Sequence, residues 1–95
     1  MKTIKVTFYH DSGHGWYRVK RSVLEELNLL EHISSFSYVN GASVYLEEDR
    51  DASIFYNRVK ELGLSVEEKQ AKFFERSPIR SYHRFQKPYK QLNIS

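Results

Sequence analysis

The sequence predicts a single α+β domain, in which a mostly antiparallel sheet carries two helices on one face in the approximate order β-β-α-β-β-α-β. Three observations indicate this fold. The chain opens with a period-two apolar pattern, an Asn40-Gly41 turn signal separates two β-rich runs, and two segments show helical apolar spacing. A chain of 95 residues is long enough for one hydrophobic core. We therefore expect residues 1–95 to form one domain.

Two strands are predicted at the start of the chain. Apolar and polar residues alternate over residues 2–9, which is the pattern of a half-buried strand. Residues 10–15 contain two glycines and an Asp-Ser pair, and these favour an irregular turn. Residues 16–19 resume an extended pattern, so a short second strand follows the turn.

The first helix is predicted to begin near Val23. Ser22 and Glu25 have the spacing of a capping box, in which each side chain satisfies a free backbone amide at the helix start. Asn28 tolerates the left-handed conformation that ends many helices. The predicted apolar stripe comprises Val23, Leu24, Leu27 and Leu30.

Asn40-Gly41 is a strong signal for a two-residue hairpin turn. Counting outward from it pairs Val39 with Ala42 and continues to Phe36 opposite Tyr45. One face then carries Val39, Val44 and Leu46, and the other carries Phe36, Tyr38 and Tyr45. The aliphatic face suits packing against helices. The aromatic face is either covered by the C-terminal segment or exposed as a partner site or homodimer surface.

A second helix is predicted after the hairpin, with an Asp side chain, Asp49 or Asp51, as its cap. Its apolar stripe comprises Ala52, Phe55, Val59 and Leu62. Gly63 is the expected C-terminal stop, and residues 64–66 are a candidate last strand. The pattern assigns no structure after Ser77.

Composition restricts the compartment and the chemistry. The chain has no cysteine, which excludes disulfides, thiolate zinc sites and a cysteine nucleophile, and favours a reducing compartment. Neither a signal peptide nor an apolar run of about 20 residues is present. We therefore expect a cytoplasmic protein that does not enter a membrane.

Basic residues are concentrated near the C-terminus. Residues 1–68 carry eight Lys or Arg against eleven Asp or Glu, whereas residues 69–95 carry seven against Glu75 alone. Residues 69–95 are also rich in aromatic side chains. Such a segment is suited to track phosphates and stack bases, which makes Lys69 to Lys90 a candidate nucleic-acid-binding region. Alternatively, the segment packs its aromatic residues onto the domain.

His10, Asp11 and His14 are candidate metal ligands, because imidazole and carboxylate groups suit zinc and similar ions. They also make a small metal-dependent or acid-base enzyme an alternative function, with nearby acidic residues orienting a histidine base. In the other interpretation these are ordinary turn histidines. Gly13-x-Gly15 is too short for a nucleotide fingerprint, and no cofactor is expected.

Arg80, Tyr82 and Arg84 would share one face of an extended segment. Two guanidinium groups and a phenol could then hold a phosphate or a carboxylate. The alternative is an intramolecular clamp onto the acidic cluster of Glu47, Glu48, Asp49 and Asp51. The candidate contact residues for a ligand or partner are Trp16, Tyr38, Tyr45, Arg80, Tyr82, Arg84, His10 and His14.

Three motifs span most of the chain: His10-x-x-Gly13-His14-x-Trp16, Tyr45-Leu46-Glu47-Glu48-Asp49-x-Asp51-Ala52 and Ser77-x-Ile79-Arg80-x-Tyr82. On these motifs the sequence resembles a group of small accessory proteins found in phages, prophages and plasmids. The resemblance implies a stand-alone accessory protein that binds a host macromolecule or a phosphorylated small ligand. Inhibition of bacterial immunity is one role that such a setting implies. The resemblance implies no particular enzymatic reaction.

Overall fold

The computed structural model describes residues 3–87 and shows an α+β fold with one six-stranded sheet and two α-helices. The strands are β1 (Thr3–His10), β2 (Gly15–Lys20), β3 (Tyr38–Asn40), β4 (Ser43–Glu47), β5 (Ser65–Phe73) and β6 (His83–Arg84). The helices are α1 (Arg21–Glu26) and α2 (Arg50–Glu61), and short 3₁₀ turns occupy Leu30–His32 and Pro78–Ser81. The predicted fold class is confirmed.

The sheet order is β5-β1-β2-β4-β3-β6. All neighbouring strands are antiparallel except β1 and β5, which are parallel. Both α-helices contribute to one core against the same sheet face, as predicted. From the sheet come Ile4, Val6, Val19, Val44 and Leu46, and from the helices come Leu24, Leu27, Ala52, Phe55 and Val59.

The predicted hairpin exists, but its register differs by two residues. Val39 pairs with Val44 rather than with Ala42, so the loop consists of Gly41 and Ala42. Gly41 has a φ of 61°, and a positive φ at the first loop position is the requirement of a type II′ turn. A slip of two residues leaves each side chain on its predicted face because side chains alternate with period two. Phe36, however, lies outside the strands and is exposed.

The predicted capping box of the first helix is wrong. α1 begins at Arg21, two residues early, and no side chain caps it. Strand β2 runs directly into the helix, and the Arg21 N–H donates to the Ala42 carbonyl at 2.8 Å. The hairpin backbone therefore takes the place of the expected cap. At the other end, Asn28 adopts the predicted left-handed conformation with a φ of 58°.

The second helix is capped by a different residue from the one predicted. The Glu47 carboxylate accepts hydrogen bonds from the backbone N–H groups of Asp49, Arg50 and Asp51 at 2.8, 2.9 and 3.3 Å. The side chain of Asp49 makes no cap bond. Glu47 ends β4, so the strand itself delivers the carboxylate to the helix start. Gly63 ends the helix with a φ of 66°, as predicted.

Asp51 is completely buried, and it joins the loop before β3 to α2. Its carboxylate accepts hydrogen bonds from the hydroxyl groups of Ser34 and Ser37 at 2.7 and 2.5 Å. Arg50 adds an ion pair at 2.7 Å. A buried carboxylate is tolerated only when it is paired and hydrogen-bonded, and both conditions hold here. Asp51 therefore has a structural role rather than a position in an open cation site.

The last predicted strand is longer than expected and runs parallel to β1. β5 covers nine residues, whereas only residues 64–66 were predicted. Its central part is charged and lacks apolar alternation, so its pairing with β1 rather than an amphipathic pattern fixes its course. This pairing makes the sheet mixed rather than wholly antiparallel.

The C-terminal segment crosses the sheet face that the helices leave free. Ile79 is buried in a small second cluster with Trp16 and Tyr45, and Tyr82 packs against it. β6 then pairs with β3, and Phe85 enters the main core. The C-terminal segment therefore covers only part of the aromatic hairpin face, because Tyr45 is buried, Tyr38 is half-buried and Phe36 stays exposed. Residues 88–95, part of the predicted basic segment, lie outside the described residues.

Within residues 3–87, no helix is both long enough and apolar enough to cross a membrane.

Candidate functional site

A groove of about 350 Å³ opens beside the second cluster, where β2, β3 and the C-terminal segment meet. Aromatic, basic and acidic side chains all line this groove. The aromatic residues are Trp16, Phe36 and Tyr38, the basic ones are His14, Arg80 and Arg84, and the acidic ones are Glu47 and Asp49. Five of these belong to the predicted contact set: His14, Trp16, Tyr38, Arg80 and Arg84.

An ion pair between Asp11 and Arg80 holds the C-terminal segment at the edge of this groove. The Arg80 Nε donates to Asp11 Oδ2 at 2.7 Å, and Nη2 donates to Oδ1 at 3.1 Å. The Asp11 side chain is 3% exposed. It also accepts the backbone N–H groups of Gly13 and His14 at 2.9 and 2.8 Å. A bidentate arginine–carboxylate pair of this kind fixes the plane of the guanidinium group.

These contacts shift the pKa values of both Asp11 and Arg80. The hydrogen bond from Arg80 holds the pKa of the Asp11 carboxyl far below its usual range, and the two backbone N–H groups act in the same direction against the effect of burial. The hydrogen bond to Asp11 in turn raises the pKa of Arg80. Both groups are therefore charged at neutral pH.

Arg80 makes two further contacts in the groove. Its Nη2 lies 2.8 Å from His14 Nδ1, which accepts this hydrogen bond when the ring proton is on Nε2. Its guanidinium carbon lies 5.6 Å from the Trp16 ring centroid. The Nη1 N–H groups make no hydrogen bond within residues 3–87. They are two fixed donors available to a bound molecule.

Arg84 reaches the same groove from β6. Its guanidinium carbon lies 5.2 Å from the Tyr38 ring centroid, and its Nη1 donates to the Ser35 carbonyl at 2.9 Å. The pairing of Tyr38 with Arg84 in the sheet places the two side chains together. Stacked guanidinium and phenol groups are common at binding surfaces.

The predicted extended clamp of Arg80, Tyr82 and Arg84 does not form. Arg80 lies in a 3₁₀ turn, which breaks the alternation that an extended strand would give. Tyr82 packs on Tyr45, with ring centroids 5.2 Å apart. An intramolecular clamp does exist, but Arg80 clamps Asp11 rather than the acidic cluster.

Trp16 and Tyr45 support the groove from below rather than offer a free surface. Trp16 is 2% exposed and Tyr45 is also buried. Burial raises the pKa of Tyr45. Substituting either residue would therefore disturb packing as well as any contact with a ligand.

The groove carries balanced rather than strongly positive charge. Two guanidinium cations, Arg80 and Arg84, lie near the carboxylates of Asp11, Glu47 and Asp49. The Asp11 carboxylate neutralises Arg80 at close range. A multiply charged phosphate would therefore meet little net attraction. A surface with its own mixed charges and an aromatic or aliphatic anchor fits the groove better.

His10 lies away from the groove. Its ring stacks on Phe8 with centroids 5.3 Å apart, and it contacts the Phe73 ring at 5.1 Å. His14 instead stacks near Trp16, and Asp11 is engaged by Arg80. In the part of the chain that the structure describes, no three His, Asp or Glu side chains are grouped so as to hold a metal ion.

The described basic residues of the C-terminal segment are spread across the sheet. Lys69 and Lys72 lie on β5 at one edge. Arg80 lies over Trp16 of β2 beside Asp11, and Arg84 lies on β6 at the opposite edge. Nucleic-acid binding through Lys69 to Lys90 stays a prediction, and steep loss of affinity with added salt is the behaviour that would identify it.

The predicted contact set omits three groove residues, Phe36, Glu47 and Asp49. Phe36 was assigned to the hairpin strand, yet 60% of it is exposed at the groove. No local sequence pattern predicts the two-residue change of hairpin register that leaves Phe36 outside the strand. The motif residues from 45 to 52 did contain Glu47, but its capping role depends on how β4 meets α2.

Comparison with protein-family models, curated protein sequences and solved structures gives no match for this chain.

Proposed function

We propose that this chain is a phage-type accessory protein of the bacterial cytoplasm that acts by binding a host protein through the groove. The target we propose is a component of a bacterial defence complex, which the protein would inhibit. One observation carries the binding proposal. Phe36 is 60% exposed beside Tyr38, Arg80 and Arg84.

The composition of the groove supports binding of a protein partner. Tyrosine, tryptophan and arginine account for most of the strong contacts at protein interfaces. An exposed phenylalanine gains free energy when a partner removes it from water, at about 25 cal/mol per Å² of apolar surface. Arg80 is already held by Asp11, so little conformational freedom is lost when its Nη1 groups bind.

Charge favours a protein partner over a phosphorylated small ligand. Asp11 offsets Arg80, and Glu47 and Asp49 add negative charge to the lining of the same groove. Sites that bind phosphate usually present an excess of cationic or N–H donors. A protein surface can match the groove with an acidic group near Arg84 and a basic group near Asp49.

The test compares two exposed phenylalanines at opposite edges of the sheet. Phe36 lies at the groove, and Phe73, 56% exposed, ends β5. Tagged wild-type, Phe36→Ser and Phe73→Ser proteins are purified from bacterial cells, and the retained proteins are identified by quantitative mass spectrometry. We expect a partner that is retained by wild type and Phe73→Ser but lost with Phe36→Ser.

The Arg84→Ala variant gives an independent measurement on the same groove. We expect it to reduce the same partner's affinity by roughly tenfold or more, as substitution of an interface arginine commonly does. Equal retention by all variants would show that the groove is not the contact surface. Retention of no partner by wild type would contradict the proposed function itself.

A further inference from the structure

Strand β5 forms one edge of the sheet, with β1 on its other side. Eight of its nine residues are exposed, and the ninth, Val66, is half-buried. Within residues 3–87 no strand pairs with its outer side. A free edge of this length offers backbone N–H and C=O groups for pairing with another strand.

Exposed apolar side chains lie at the end of this edge. Phe73, 56% exposed, is the last residue of β5, and Phe74, 36% exposed, follows it. Of the large apolar side chains exposed within residues 3–87, Phe36 alone is distant from β5. Exposed apolar groups that cluster along one edge indicate an interaction surface.

The charges along β5 are ordered rather than mixed. Glu67 and Glu68 come first, and Lys69 and Lys72 follow. A second copy that pairs in the antiparallel direction sets the acidic half of one strand against the basic half of the other. Parallel pairing would instead set like charges together.

A β-bulge in β5 places the charges on a common face. Glu67 pairs with Lys5 and Lys72 pairs with Tyr9, and the register shifts between these pairs. Since Lys5 and Tyr9 lie on one face of β1, Glu67 and Lys72 also share a face. An antiparallel copy can therefore set each Glu67 opposite a Lys72. In this register Lys69 of each copy lies opposite Gln70 of the other, so no like-charged pair lies directly across the two strands.

Two intramolecular contacts hold the charged side chains in position. The Tyr56 hydroxyl donates to Glu68 at 2.9 Å. The Lys72 ammonium lies 5.8 Å from the Tyr9 ring centroid. Held side chains lose less conformational freedom on association than free ones.

We propose that β5 is a self-association edge, on which a second copy of this chain docks by antiparallel β5–β5 pairing. The two sheets join into one continuous sheet of twelve strands, six from each copy. The interface is isologous, so the same residues contribute from both copies. This surface is separate from the groove and from the aromatic hairpin face first considered for a dimer.

A charge-exchange experiment tests this pairing. In the basic variant, Glu67→Lys and Glu68→Lys make the edge wholly basic, and in the acidic variant, Lys69→Glu and Lys72→Glu make it wholly acidic. Sedimentation velocity over a dilution series measures dimerisation. We expect each variant alone to dimerise roughly tenfold or more weakly than wild type, and an equimolar mixture to form the heterodimer at wild-type strength or better.

Two controls separate this edge from net charge and from misfolding. A Glu31→Lys and Glu61→Lys variant has the same change in net charge as the basic variant, and it should dimerise as wild type does. Circular dichroism checks that each variant is folded. Phe73→Ser combined with Phe74→Ser should also weaken the dimer without any change in charge.

Hydrogen exchange gives a direct readout of the strand. Residues 65–73 should gain protection as the protein concentration rises, whereas the groove residues should not. A wild-type chain that is monomeric throughout would overturn the proposal. So would a dimer that forms equally in the basic and acidic variants, because another surface would then join the copies.

Discussion

At the residue scale, Asp11 is a buried carboxylate that joins two distant parts of the chain. Its carboxylate accepts the hydrogen bonds of Arg80 and of two backbone N–H groups in the turn between β1 and β2. One side chain thus fixes the turn and anchors the C-terminal segment across 69 residues of sequence. Charged hydrogen bonds in a buried position are among the stronger polar contacts in proteins.

Asp11→Ala should lower the free energy of unfolding by about 2–3 kcal/mol, because the turn amides and the guanidinium lose their acceptor. Urea denaturation measures this change. Ser12→Ala, at the exposed next position, is the matched control and should change stability by less than about 0.5 kcal/mol. Equal effects of the two substitutions would show that the ion pair has little energetic importance.

The pKa of Asp11 also predicts how stability depends on pH. The hydrogen bond from Arg80 holds this pKa well below its ordinary value of 3.8, so the unfolded chain takes up the proton first. The stabilisation is therefore complete above pH 3.8 and is lost as the pH falls through the folded pKa. The difference in unfolding free energy between wild type and Asp11→Asn should shrink from about pH 6 to about pH 2. A constant difference would contradict the assigned pKa shift.

At the element scale, the start of α2 shows how a strand can cap a helix. Glu47, the last residue of β4, accepts three N–H groups of the first turn. Asp49 occupies the N-cap position but contributes no side-chain bond. The residue that caps the helix is therefore set by the strand–helix junction rather than by the usual position in sequence.

Exchanging these two acidic residues for alanine separates the two roles. Glu47→Ala should cost about 1–2 kcal/mol of unfolding free energy, since three amide donors lose their acceptor. Asp49→Ala should cost no more than about 0.5 kcal/mol. Both substitutions remove one negative charge, so Asp49→Ala is the matched control in thermal and chemical denaturation. A larger effect of Asp49→Ala would restore the cap that the sequence suggested.

At the scale of the whole molecule, the C-terminal segment completes the fold. Residues 77–85 bring Ile79 onto the free sheet face and Phe85 into the main core, and both are nearly inaccessible to solvent. This segment also delivers Arg80 and Arg84 to the groove. The groove and the second cluster thus exist only when the two ends of the chain have come together.

Ile79→Ala should destabilise the fold by about 2–4 kcal/mol and loosen the cluster around Trp16. Trp16 is the only tryptophan in the sequence, so its fluorescence reports this cluster alone. We expect its emission to shift to longer wavelength in the variant. Pro78→Ala, at the exposed neighbouring position, should leave the emission unchanged. Unchanged emission in Ile79→Ala would show that the segment does not cover Trp16 in solution.

Local patterns by themselves determined much of this protein. The α+β class, the alternation of β1, the hairpin at Gly41 and the left-handed ends at Asn28 and Gly63 all follow from period and turn chemistry. The predicted apolar stripe of the second helix is buried at Ala52, Phe55 and Val59, whereas Leu62 lies beyond the helix and is exposed. These features depend on neighbours in sequence, because side-chain period and backbone φ are local properties. Several groove residues were also named, but only as residue types suited to binding.

Tertiary structure alone decided the rest. The parallel pairing of β5 and the pairing of Arg80 with Asp11 join residues distant in sequence. The hairpin register and the cap of α2 join near neighbours, but local patterns favoured other partners for them. Short polar strands accept more than one partner and register when no apolar face selects among them. An arginine such as Arg80 could likewise form an ion pair with any of several carboxylates in the sequence. One arrangement is selected only when the sheet has assembled and the C-terminal segment crosses it. Packing and burial in the complete fold then stabilise that arrangement more than the alternatives.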